Sequence, residues 1–203
     1  MAATMTVGLL TGGCTAAATS DSGHLASSLG DLAREWSTQE GLSDWDRAVL
    51  EKASETGVVS QADYDEGANN FEACLQAGGL HWIRTRLLNG VVEFQPSPEN
   101  SSTDEHVDAA AVQENCYVAT WGSTQELFRM QQANPDLLSN FSLATVDCLR
   151  KARMVGDDFT ADDFDEAMGS RDAPRADWPF DVMDPRAQTC LYSLGYAIAI
   201  DAR

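Results

Sequence analysis

Positive charge is scarce in this chain. Thirteen lysines and arginines stand against 32 aspartates and glutamates, a net charge of −19 over 203 residues. Nucleic-acid binding needs a basic footprint that displaces counterions, and electrostatic docking to anionic lipid needs a basic face. The balance argues against both and leaves a solubilising surface or one suited to cationic partners. Histidine is nearly absent, with only His24, His81 and His106. A Ser/His/Asp hydrolase needs an imidazole fixed by a scaffold. His24 falls in a small-residue polar run and is expected to be solvated. His106 falls in a polar loop, and His81 opens a strand, where a structural role is expected. No GxSxG, HExxH, phosphate-cradling glycine loop or dinucleotide fingerprint is present. No apolar run reaches the length of a membrane span; Leu191 to Ile200 reads instead as a final buried strand or helix. CxxC pairs are missing, so zinc ligation is not expected. The acidic run Asp157, Asp158, Asp162, Asp163, Asp165, Glu166 fails as a calcium loop. Its third position is Phe159 and its sixth is Asp162 where glycine is needed. No metal, cofactor or catalytic residue is therefore assigned.

What the chain does have is an ordered set of cysteines. Cys74, Cys116, Cys148 and Cys190 lie at intervals of 42, 32 and 42 residues. An even four points to two disulfides and an oxidising compartment. The equal intervals favour Cys74 with Cys116 and Cys148 with Cys190, each closing a loop that stabilises by roughly 4 kcal/mol in the chain-entropy model. The rival pairing joins Cys74 to Cys148. Cys14 is left over.

The stretch from Ser43 to Cys74 reads as two helices. Ser43 with Asp46 and Ser60 with Asp63 are start signals, and Gly57 ends the first helix. Tyr64, Ala68, Phe71 and Leu75 then trace one apolar stripe, closed by Gly78 and Gly79. Beyond it, Asn89-Gly90 predicts a type I′ hairpin turn. That register sets Leu87 opposite Val92 and Arg86 opposite Glu93. It buries Ile83, Leu87, Val92 and Phe94 and leaves Arg84, Arg86, Glu93 and Gln95 in water. A helix is expected through Val112, Cys116 and Ala119. Another starts at Ser123 with Glu126 and stops at Asn134-Pro135. A last apolar stripe runs through Leu138, Phe141, Thr145, Cys148 and Ala152. Leu50-Glu51-Lys52-Ala53, Gly57, Ser60 to Gly67 reads against Leu149-Arg150-Lys151-Ala152, Gly156, Thr160 to Ala167. That correspondence suggests an internal duplication, with half-units 43–133 and 134–203. The fold class is mostly α (α+β): helical hairpins, one small β-hairpin and two disulfides.

The N-terminus, Leu10-Thr11-Gly12-Gly13-Cys14 after the apolar run Val7 to Leu10, resembles the lipobox of bacterial lipoprotein signal peptides. Small residues admit the backbone to the signal peptidase, and the Cys14 thiol would carry the lipid. No Lys or Arg precedes the run, a departure from that pattern. The resemblance implies a signal peptide over 1–14, a flexible tether over 15–36, and one disulfide-bonded domain over 37–203; Asp31 to Glu40 is expected to form a helical turn or two that docks Leu32 and Trp36 at the domain edge. The motifs Asp63-Tyr64-Asp65-Glu66, Phe71-Glu72-Ala73-Cys74-Leu75, Asn115-Cys116-Tyr117, Gln131-Gln132-Ala133-Asn134-Pro135 and Asp147-Cys148-Leu149 carry a second resemblance. Together they resemble secreted actinobacterial lipoproteins of unknown function built on a helical hairpin and widely spaced cysteines. This implies compartment and architecture, with no catalytic or binding residue to carry over. The expectation is a monomeric lipoprotein at the extracellular face of the cell membrane, held there by its lipid anchor alone, or else a secreted protein. It would be a non-enzymatic binding or accessory module whose partner is an envelope protein or cationic ligand. The alternative is an extracellular or cell-wall hydrolase of unrecognised type.

Overall fold

The computed structural model describes residues 23–97, 108–169 and 178–196. Cys14 and its leader, residues 15–22, His106 and the tail beyond Tyr196 lie outside the described residues. Eight helices and a two-stranded antiparallel hairpin are present among those described. They follow the order α1 (Leu29–Ser37), α2 (Asp44–Thr56), α3 (Gln61–Ala77), β1 (Trp82–Arg86), β2 (Val92–Pro96), α4 (Ala109–Thr120), α5 (Gly122–Ala133), α6 (Phe141–Lys151), α7 (Ala161–Gly169) and α8 (Pro185–Ser193). The mostly helical class and the small hairpin are as expected. So are both disulfides, Cys74–Cys116 with an S–S distance of 2.05 Å and Cys148–Cys190 with 2.00 Å.

The start signals act as capping chemistry requires. Ser43 Oγ accepts from Asp46 N at 3.0 Å, Ser60 Oγ from Asp63 N at 3.1 Å, and Thr160 Oγ1 from Asp163 N at 3.2 Å. Gly57 closes α2 in the left-handed region, at φ 76°, where a side chain would be strained. The α3 stripe is buried as its spacing predicts. Tyr64 stacks on Phe128 at 4.0 Å, and Phe71 stacks on Trp121 at 5.6 Å. The Tyr64 hydroxyl accepts from Val92 N at 2.9 Å, so one buried ring ties α3 to both α5 and β2.

Helix α5 is the centre of the molecule. It packs against α1, α2, α3, α4, α6 and α8, and its buried residues Thr124, Gln125, Leu127, Phe128, Met130 and Ala133 point to several sides. A helix buried around most of its circumference shows no single apolar stripe. The core divides into two main clusters. One runs from Leu32 to Leu137 around α5. The other gathers Val146, Leu149, Phe164, Phe180, Val182, Ala187 and Leu191 around α6 and α8.

The correspondence between the two stretches is local. The caps Ser60 and Thr160 correspond, as do the fully buried aromatics Tyr64 and Phe164. Neighbours differ, because α2 packs mainly on α1 whereas α6 packs on α7. The turns differ too: Arg153, at φ 59°, takes the left-handed position, and Gly156 has no positive φ. Cys74 sits on the second helix of its pair and Cys148 on the first of its own.

Two expectations need correction. The hairpin connection has three residues, Leu88-Asn89-Gly90, in place of a two-residue type I′ turn. Leu87 N bonds Val91 O at 2.8 Å, and only Gly90 has positive φ, at 88°. This geometry frees the Asn89 amide to donate to Ser193 Oγ at 2.9 Å on α8. The longer turn shifts the register by one, so Arg86 faces Val92 and Arg84 faces Phe94. A one-residue slip turns a strand over. Ile83 is therefore half exposed, while Arg84 turns toward α3. It bonds Asn69 Oδ1 at 2.6 Å and lies over Phe94 at 5.9 Å. Arg86 pairs with Asp65 at 2.9 Å, not with Glu93.

The second correction is at the N-terminal side. Residues 23–30, read from composition as tether, are docked, and the short helix expected from Asp31 starts at Leu29. His24 forms an antiparallel bridge with Leu138 and its Nδ1 lies 2.8 Å from Asp136 O, so it is not a bare linker residue. Helix α1 follows, burying Leu32 and Ala33 against α2. The amphipathic spacing of Leu29, Leu32, Ala33 and Trp36 outweighs the small polar residues before it.

Candidate functional site

The strongest candidate site is built on the N-terminus of α5. The expected start signal, Ser123 with Glu126, is not what caps this helix, which has no side-chain cap of its own. Asp46, in the first turn of α2, supplies it from afar. Its Oδ1 accepts from Thr124 N at 2.8 Å and its Oδ2 from Ser123 N at 3.3 Å. The carboxylate is 1% exposed, yet it meets orphan amides and the positive end of a helix dipole. Burial is tolerated because both oxygens are bonded.

Around this cap opens a cleft of about 430 Å³. One wall is the end of α1 and the turn after it, with Trp36, Glu40 and Leu42; the other comes from Tyr117 and Val118 of α4 and Glu126 of α5. Gly41, at φ 82°, reverses the chain between α1 and α2. Arg47 Nη1 donates to Ser37 O at 2.7 Å and fixes the end of α1 against α2. Tyr117 donates its hydroxyl proton to Glu126 Oε1 at 2.8 Å, and Arg129 Nη1 donates to the same oxygen at 3.2 Å. Burial first, and then the Glu126 charge, push the Tyr117 hydroxyl well above the ordinary phenol range. Tyr117 is thus held as a neutral donor. Arg129 extends the chain of contacts to α8, donating to Tyr192 O and lying 5.1 Å from the Tyr192 ring.

The cleft offers a cation aromatic faces and carboxylate oxygens. Its lining holds no Lys, Arg or His. Two of its acids are engaged, Asp46 by α5 and Glu126 by Tyr117 and Arg129. Glu40 is exposed and has no partner among the described residues. The chain matches no protein-family model, no curated protein and no solved structure. Geometry and chemistry therefore carry the functional reading.

The other sequence candidates are dispersed. The four cysteines are spent in disulfides. His24 and His81 lie on different segments, and His81 O accepts from Ser97 N at 3.1 Å, closing the hairpin. In the acidic run, Asp163 caps α7 with Thr160, and Asp165 accepts from the Ser142 hydroxyl. Asp157, Asp158, Asp162 and Glu166 are exposed. No group of three His, Cys, Asp or Glu positioned to hold a metal occurs among the described residues. The sequence reading placed Trp36 at the domain edge and Glu126 in a capping signature, gave Glu40 and Tyr117 no site role, and took Asp46 for a local capping partner. A signal was available: Asp46, Val49, Leu50 and Ala53 share one helix face, and all four are buried. An acid on the apolar stripe of a helix announces a long-range partner.

Proposed function

We propose that the protein is a lipoprotein anchored through Cys14 at the extracellular face of the cell membrane. Its folded body is a non-enzymatic binding or accessory module of the envelope. The cleft beside Trp36 takes a cationic segment of a partner protein. The observation that supports this most is the lining itself: Trp36, Tyr117 and Glu40 around a buried Asp46, with no cationic side chain among them. A lysine or arginine over an indole is attracted by about 0.5–2 kcal/mol, depending on desolvation. The exposed acids Asp157, Asp158, Asp162 and Glu166 belong to a chain at −19, whose field steers cationic partners inward. The two disulfides suit an oxidising location.

The test is calorimetric titration with a short peptide rich in lysine and arginine. Binding should weaken about tenfold in Trp36→Ala and about fivefold in Glu40→Gln, and should decline as salt shortens the screening length. Affinity insensitive to both replacements and to salt contradicts the reading. Turnover of a cell-wall or peptide substrate, abolished by one side-chain replacement, overturns its non-enzymatic part. In the native host, Cys14→Ala should move the protein from the detergent phase to the soluble fraction.

A further inference from the structure

A second concavity, at the other end of α5, has the opposite character. It lies where the hairpin tip meets the ends of α5, α6 and α8, and encloses about 310 Å³. Ala133, Pro135, Ala152 and the disulfide Cys148–Cys190 supply apolar wall. Leu88 stands at the mouth, 70% exposed. The charged residues of the lining are Lys151 and Arg186, and no carboxylate is among them. That is unusual for a chain at −19.

The use of the other cations sharpens the point. Seven of the ten described cations, Arg34, Lys52, Arg84, Arg86, Arg129, Arg150 and Arg186, are paired with carboxylates; Arg47, Lys151 and Arg153 are not, and of these three only Lys151 lines the groove. Lys151, at the last turn of α6, has no such partner among the described residues. The negative end of the helix dipole stabilises a cation there. It does not account for a groove edge without acids. Arg186 is shared, since Asp184 holds its guanidinium at 2.8 Å and Ala152 O accepts from it at 3.3 Å. Polar atoms of the walls are largely occupied. Thr189 Oγ1 donates to Pro185 O and accepts from Leu88 N, and the Asn89 amide serves Ser193. A peptide backbone would find few partners here, and an alkyl chain needs none. Gln132 and Lys151 remain as donors at the rim.

We propose that this groove binds a single-chain amphiphile with an anionic head, of the fatty-acid carboxylate class. The alkyl chain lies along the aliphatic and disulfide wall, behind Leu88. The head group meets the Lys151 ammonium and the Gln132 amide. Its volume falls at the lower end of ligand-sized clefts, roughly 300–1,000 Å³, which favours one chain over two. The site is independent of the Trp36 cleft, so either can fail without the other.

The experiment is a titration of the full chain with decanoate, below its micelle-forming concentration, followed by two-dimensional amide NMR. Shifts should centre on Leu88, Lys151, Thr189 and Cys190. Lys151→Glu, at an exposed position, should weaken decanoate about five- to tenfold while the rest of the spectrum keeps its dispersion. Leu88→Ser should weaken it through lost apolar contact. Decyltrimethylammonium, with the same chain and opposite charge, should bind more weakly than decanoate. Equal binding of the two head groups, or decanoate affinity unchanged in Lys151→Glu and Leu88→Ser, overturns the proposal. So does a set of shifts centred elsewhere, or no binding at all.

Discussion

The two halves of the chain each carry one disulfide closing the same 42-residue separation, but they bury very different cores. Among the described residues, twenty buried side chains form the cluster around α5, and eight form the one around α6 and α8. Equal loops contribute equally, about 4 kcal/mol each in the chain-entropy model. The same cross-link therefore supplements a large core in the first half and a smaller one in the second. Small domains stapled by disulfides follow the same physics. The two concavities divide likewise. The acidic aromatic cleft rests on the better-packed half, and the basic apolar groove lies at the seam between the two.

The largest effect expected of a side-chain replacement comes from opening the main core. Phe128→Ala removes a ring stacked on Tyr64 and should cost about 3–5 kcal/mol, lowering the melting temperature of the whole chain. Phe164→Ala should cost a similar amount locally, yet melt the second half first, giving two transitions in calorimetry. A single transition in both variants would erase the distinction between the halves.

Next comes the remote cap. Asp46→Ala leaves Ser123 N and Thr124 N without their acceptor and should destabilise by about 2–3 kcal/mol. The comparable cap in the second half is local and exposed, and Thr160→Ala should cost only about 1 kcal/mol. Chemical denaturation of the two variants measures that gap.

Those caps also show what the sequence could and could not disclose. Ser43, Ser60 and Thr160 were legible because their partners lie three residues away. The α3 stripe was legible because one face meets one core, and the disulfides because their intervals match. Asp46 was misread because its partners are 77 and 78 residues distant. Helix α5 was underrated because its burial on several sides blurs periodicity. The hairpin register failed for a similar reason. Asn89-Gly90 favours a two-residue turn locally, but the Asn89 bond to Ser193 and the Arg84 site on α3 favour the longer one. The cleft joins the end of α1 to α4 and α5, segments that no local motif relates.

A smaller effect is expected at the seam. Arg129→Leu removes the pair with Glu126 and the bond to Tyr192 O, at a cost of about 1–2 kcal/mol. Its sharper signature is decoupling: the two halves should melt in separate transitions.

The smallest effect is in acid. Thr160 hydrogen bonds hold the Asp163 carboxyl below its ordinary 3.8, and those of Arg186 hold Asp184 at about 2. In the first half, burial raises Asp63, but the bonds from Lys52 and Ser60 outweigh it and the net shift is downward. A depressed carboxylate stabilises fully above its unfolded pKa and loses that contribution as pH falls through the folded value. Stability should therefore be flat above about pH 5 and decline from about pH 4 to pH 2. The smaller core should unfold first, seen as earlier loss of signals from α6 to α8.

The most direct measurement is native-state hydrogen exchange on the double variant Cys148→Ser, Cys190→Ser, beside Cys74→Ser, Cys116→Ser. Removing the first bridge should strip protection from α6, α7 and α8 while α2, α3 and α5 stay protected, and the Trp36 cleft should keep its affinity for the cationic peptide. Removing the second should lower protection in the first half without abolishing it. If either variant loses protection over the whole chain at once, the two halves are one cooperative unit and the unequal-core account is wrong.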